Sequence, residues 1–198
     1  MPSFRLAAFA CSALLLTACA TTRGPVSQDT VAAYRDAVEL NGRLSVNYTR
    51  EGQPETLSGK FSWSQVPGVV DVTLASPLGQ TIAKIVVTPE SATLIQSDRQ
   101  PRVARDIDTL TAQALGWSLP VSGLRDWLQG YATAADGKRF AASPAANSVT
   151  TPDGWRLTFV TWQDGKAARP TPKRIDAERS ATATAGALSL RIIVDPQA

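Results

Sequence analysis

LNGRLSVNY, residues 40–48, alternates apolar and polar side chains. A period of two sends Leu40, Leu44, Val46 and Tyr48 to one face and Asn41, Arg43, Ser45 and Asn47 to the other, the pattern of a half-buried strand. TLSGKFSWSQ, residues 56–65, repeats the pattern, with Leu57, Phe61 and Trp63 opposing Ser58, Lys60, Ser62 and Ser64. Val70, Val72 and Leu74 then run against Asp71 and Thr73. TIAKIVVT (81–88), which carries Ile85, is less cleanly two-sided, and SATLIQS (91–97) supplies a fifth strand. An antiparallel meander with one apolar face needs something to cover that face.

The turn before residue 81 is unusual. In SPLG, residues 76–79, Ser76, Pro77 and Gly79 suit the first, second and fourth positions of a type I turn. Leu78 is left at the tip, where folding gives it nothing to bury against. The cover for the sheet is expected from DIDTLTAQALGWSLPVSGLRDWLQG, residues 106–130. Asp106 or Asp108 caps one helix ending at Gly116, and Ser122 caps a second whose Leu124, Trp127 and Leu128 form a stripe before Gly130. Both helices are too short to persist alone and must lean on the sheet.

Outward from this centre, DTVAAYRDAVEL (29–40) predicts a short helix through Val31, Tyr34 and Val38. Residues 132–150 read as a long exposed connection with a hairpin bend at AADGK. GWRLTFVTWQ (154–163) places Trp155, Leu157 and Phe159 on one face and Val160 and Trp162 on the other. PKRIDAERS (172–180) is polar enough for an edge strand, and ALSLRIIV (187–194) closes the set. Of the five tryptophans, Trp63, Trp117, Trp127 and Trp155 are expected inside and Trp162 nearer a rim. The prediction is a mainly β fold, an incomplete antiparallel barrel covered by short helices. Whether its interior is packed or hollow does not follow from periodicity.

The first eighteen residues join Arg5 to an apolar run ending in small residues, a secretory signal too short to span a bilayer. It ends in LTAC, residues 16–19, which resembles a bacterial lipobox. That resemblance implies acylation of Cys19 and, with Ala20 rather than Asp following it, the outer membrane. The expected organisation is a signal at 1–18, a lipidated tether at 19–28 and one domain over 29–198. Removing Cys11 with the signal and acylating Cys19 leaves no thiol for a disulfide. With no histidine, imidazole chemistry is absent, and a hydrolase would have to rely on acids such as Asp71 or Asp126. No enzyme, metal or cofactor is expected beyond the covalent acyl and diacylglyceryl anchor. Loss of Arg5 takes the net charge from +3 to +2, with basic residues scattered, so nucleic acid is a poor partner.

LGWSLPVSGLRDWLQG (115–130) resembles the corresponding stretch of the LolB family of outer-membrane lipoproteins. The similarity extends to NGRLSV with GKFSW, the SPLG turn, and GW followed by a PKRI strand. The chain departs from the family at Phe159 and Trp162, where tyrosines are usual, and at IIVDPQA, which lacks an expected aromatic. The resemblance implies a hollow half-barrel that takes the acyl chains of client lipoproteins from a LolA-like periplasmic carrier. It would then insert them, without ATP, into the inner leaflet of the outer membrane, meeting the phospholipid through Pro77, Leu78 and Gly79. The candidate cavity wall is Leu44, Val46, Tyr48, Phe61, Trp63, Val72, Leu74, Ile85, Trp117, Leu119, Leu124, Trp127, Leu128, Trp155, Leu157 and Phe159. A monomer is expected. The other reading is an assembly lipoprotein with a packed barrel that binds protein partners.

Overall fold

The computed structural model describes residues 30–50, 52–97, 99–115, 121–181 and 186–196. Six strands come first: β1 (Val38–Arg50), β2 (Gln53–Val66), β3 (Val69–Ala75), β4 (Thr81–Val87), β5 (Ala92–Gln96) and β6 (Arg99–Ala104). Helices α1 (Ile107–Leu115) and α2 (Val121–Trp127) follow, then the short strands β7 (Tyr131–Thr133), β8 (Arg139–Ala141) and β9 (Ser148–Thr150). The last three strands are β10 (Arg156–Trp162), β11 (Pro172–Arg179) and β12 (Leu188–Val194).

Ten strands form one antiparallel sheet in the order β6-β5-β4-β3-β2-β1-β12-β11-β10-β9, while β7 and β8 make a separate hairpin. The edges, β6 and β9, do not pair with each other, so the barrel is incomplete. The chain's two ends join through β1 and β12, where Leu44 lies opposite Ile192 and Val46 opposite Leu190. The alternation in LNGRLSVNY is thereby used: Leu40 and Val46 are buried, whereas Asn41, Arg43 and Asn47 are exposed.

The helical cover is built from side-chain capping. The Thr109 N–H donates to Asp106 Oδ1 at 2.7 Å, capping α1 as expected. That bond is the main reason the Asp106 carboxyl titrates below its ordinary 3.8, with Arg105 adding to it. Ser122 does not cap α2, because it lies inside the helix and turns elsewhere. Its N–H and O–H both donate to the Asp108 carboxylate, at 3.0 and 2.6 Å. One acid in the first turn of α1 thus ties the start of α2 to it, and the two short helices act as one cover.

Four other expectations change, and one strand is additional. Residues 30–37 form no helix and run as a strap. Val31 donates its N–H to the Ala142 carbonyl at 2.9 Å, and Tyr34 meets Tyr131 edge-on at 5.8 Å. Three apolar positions at helical spacing are satisfied equally by an extended chain that finds tertiary partners. Strand β6, RQPRVA, carries no apolar alternation and contains Pro101, which an edge tolerates. Conversely β11 is interior, since Ile175 and Ala177 are fully buried and only its outer face is polar. Residues 132–150 do bend at Ala134–Lys138, but Ala132, Ala142 and Ser143 are buried. Finally, an irregularity in the β10–β11 register after Phe159 returns Trp162 to the inner side, where it stacks on Phe159 at 6.2 Å. A bulge shifts side-chain parity by one, which simple alternation cannot anticipate.

A hollow under the helical cover

The cover does not fill the space it encloses. Between α1, α2 and the first five strands lies a hollow of about 250 Å³. Leu44, Val46, Tyr48, Phe61, Trp63, Val72, Leu74 and Ile85 line it from the sheet, and Leu124 and Leu128 from the cover. These are ten of the sixteen expected wall residues. Trp117 and Leu119 lie outside the described residues, as do Cys19 and the tether.

The other four expected residues, Trp127, Trp155, Leu157 and Phe159, do not line the hollow. They build a solid core instead: Trp155, Leu157 and Phe159 are fully buried, and Trp127 lies 6.1 Å from the Trp155 ring. Phe140 from β8 stacks on Phe159 at 6.3 Å. Large rings meeting from both layers leave no volume between them.

Sequence reasoning missed a different group of wall residues, among them Gly59, Ala75, Ala83 and Ala114. Their shared signal is small size at inward or rim positions. Leu94, Val121, Leu190 and Ile192 complete the apolar lining, and the Thr111 hydroxyl turns away to the carbonyls of Ile107 and Asp108. Leu57 and Ile82, each close to half exposed, stand where the wall meets solvent. Ile82 is the residue skipped by the β3–β4 register, in which Leu74 faces Ala83 and Ala75 faces Thr81.

The β3–β4 hairpin has the anticipated geometry. The Gly79 N–H donates to the Ser76 carbonyl and the Ser76 N–H to the Gln80 carbonyl, both at 2.8 Å. Gly79 sits at φ +94°, the left-handed residue that follows a type I turn in a three-residue loop. Leu78 at the apex is 91% exposed. Of the two acids considered for catalysis, Asp71 and Asp126, neither lines the hollow, and Asp71 forms an ion pair with Lys84 at 3.4 Å.

The family model described as "Outer membrane lipoprotein LolB" matches residues 36–196, which takes in the whole sheet and its cover. The chain belongs to the LolB family. Among LolB relatives, the Outer-membrane lipoprotein LolB of Cupriavidus necator is 41% identical over 98% of this chain and 98% of its own length. That of Cupriavidus taiwanensis is 41% identical over 93% of this chain and 92% of its own. Among solved structures, a LolA superfamily protein from Nitrosomonas europaea matches with a TM-score of 0.43 at 6% identity, covering 84% of this chain and 87% of that one. The LolB assignment places the chain among the outer-membrane lipoproteins and in lipoprotein localisation generally. Among the described residues no helix is long and apolar enough to cross a membrane.

Proposed function

We propose that this protein receives acylated lipoproteins from a periplasmic carrier, shelters their acyl chains in the hollow and releases them into the inner leaflet of the outer membrane. The observation that carries this reading is the apolar hollow beneath a cover held by two short helices. Each methylene removed from water is worth about 0.8 kcal/mol, so a client's chains cannot be released into solution and must pass between apolar sites. Transfer then needs no nucleotide, only successively tighter binding, with about 1.4 kcal/mol giving a tenfold preference. Acylation of Cys19 would hold the protein at the receiving membrane, and more than one acyl chain makes such an anchor stable. It acts as a monomer.

Leu78 completes the scheme. A leucine contributes roughly 1.5 to 3 kcal/mol on full burial, too little to anchor a protein but enough to orient a mouth or disturb lipid locally. The fully packed assembly scaffold, the other reading of this sequence, leaves the hollow without a role.

The test is transfer of a labelled lipoprotein from its carrier to this protein and onward to vesicles. Ala83→Phe, which projects a ring into the hollow, should abolish receipt while the protein stays folded by circular dichroism. Leu78→Glu should keep receipt and lose delivery. Unchanged receipt by folded Ala83→Phe would overturn the proposal.

A further inference from the structure

A second depression, of about 410 Å³, lies beside the Leu78 hairpin and shares Leu44, Ser58, Gly59 and Lys60 with the wall of the hollow. Arg43 on β1, Lys60 on β2 and Arg191 on β12 line it, with Ser45, Ser58 and Pro77. Strand pairing brings them together, since Arg43 faces Lys60 and Ser45 faces both Ser58 and Arg191. Pro77 reaches the same depression from the hairpin, and the Ala75 carbonyl of the strand leading into it lies 2.5 Å from where a Gly59 Cβ would stand. Any side chain larger than hydrogen at residue 59 would push the hairpin off.

The donors in this depression exceed the acceptors. Arg43 reaches Asp195 at 3.6 Å, and Arg191 shares Asp176 with Arg174 at 3.3 Å. Asp176, despite partial burial that raises its pKa, is held below 3.8 by hydrogen bonds and charge from Arg174 and then Arg191, so it stays ionised. Three cations thus line the depression and no carboxylate does: Arg43 and Arg191 pair with acids outside the lining, and Lys60 makes no ion pair with any described residue. The Ser58 and Ser45 hydroxyls share a single bond at 3.1 Å, which leaves one O–H over. A tetrahedral anion with several acceptor oxygens matches an ammonium, two guanidinium groups and a hydroxyl.

Depth decides which anion. Lys60 is paired with Ala75, three residues before Leu78. At roughly 3.3 Å per residue the tip stands at most about 10 Å from that level. An apolar residue entering the headgroup and acyl boundary penetrates about 5–10 Å, which brings Lys60 to the layer of lipid phosphates. We propose that this groove seats the phosphodiester of an anionic phospholipid headgroup when the Leu78 tip enters the bilayer. The greasy tip and the cationic groove then read the two layers of one leaflet, and together they fix the tilt of the mouth. The proposal rests on the reading that the Leu78 hairpin faces the membrane.

Native lysine labelling tests it on the full acylated protein reconstituted in vesicles. With an amine-acylating reagent and mass-spectrometric readout, Lys60 should label about fivefold more slowly in phosphatidylcholine vesicles containing about 30 mol % phosphatidylglycerol than in phosphatidylcholine alone. Lys138, ion-paired to Asp136 in the β7–β8 turn, should label at the same rate in both. Free inorganic phosphate or glycerophosphoglycerol at matched concentration should not protect Lys60, whereas protection by either would assign the groove to a soluble anion and overturn the lipid. Arg43→Gln with Arg191→Gln should remove most of the protection, and Arg43→Lys with Arg191→Lys should retain it. Equal labelling of Lys60 in the two vesicles, a parallel fall at Lys138, or protection that survives the glutamine pair would overturn the proposal. If Ala83→Phe loses client receipt while Lys60 stays unprotected, the transfer function stands and the headgroup site falls; the reverse result separates them the other way.

Discussion

The two flanks of the ten-stranded sheet have the same alternation and opposite interiors. At β10 and β11, Trp155, Leu157, Phe159, Ile175 and Ala177 are fully buried. Over β1 to β5 and β12 many of the inward residues, among them Val46, Phe61, Val72, Ile85, Leu94 and Ile192, border empty space. Hydropathy does not separate the flanks, but side-chain volume across the gap does. On the packed flank the opposing layer brings Trp127 and Phe140, and Trp162 of β10 itself stacks on Phe159. On the hollow flank it brings Ala114, Thr111, Val121 and Leu124 above Gly59 and Ala83. Stability and capacity are thus divided within one sheet: one flank holds the fold so that the other can stay unfilled.

This division can be broken by substitution. The largest effect should come from Trp155→Ala, which empties a filled site and should cost about 3–5 kcal/mol in urea unfolding. If it proves nearly neutral, the packed flank is not what supports the hollow one. A matched pair of small-to-large changes sharpens the contrast. Ala177→Leu should destabilise by about 1–3 kcal/mol, since nothing near it can move aside. Ala83→Leu, at an equivalent inward position with space before it, should leave the urea midpoint unchanged or raise it, and equal losses at the two sites would show the hollow to be illusory. Leu78→Glu should not shift the midpoint at all, because the tip is 91% exposed and touches neither flank.

The smallest non-zero effect concerns the cover and pH. Asp106 titrates below 3.8 in the folded protein chiefly because its carboxylate accepts the Thr109 N–H. A depressed carboxyl stabilises the fold above its unfolded value and loses that contribution as pH falls through the folded one. Hydrogen exchange of residues 107–115 should therefore quicken as pH drops below 3.8, after correction for intrinsic rates. Asp106→Asn still caps but does not titrate there, and should flatten the Asp106 part of that dependence. An unchanged profile in this variant would move the sensitivity to Asp176, also held below 3.8.

Much of this was legible beforehand where a local rule and the tertiary environment agreed. The first five strands, the Asp106 cap and the SPLG hairpin followed from alternation, capping chemistry and turn preferences. The strap at 30–37 and the interior place of β11 were not legible, because each depends on a distant partner: Ala142 for Val31, and β10 with β12 for β11. Ser122 was misread because Asp108, fourteen residues away, captures it. Ten of the expected wall residues border the hollow while Trp127, Trp155, Leu157 and Phe159 lie in the packed core, since an inward-facing apolar residue looks the same in sequence whether it meets a ring or a void.

The sequence by itself determined which residues turn inward, because backbone pleat sends alternate side chains to opposite faces whatever lies beyond them. It also determined the leucine at the hairpin tip, since Ser76, Pro77 and Gly79 around it hold the turn. Only the tertiary structure decided where the inward residues meet partners and where they meet space. Packing is a relation between layers brought together by long-range pairing, and no single strand carries the volume of what will face it.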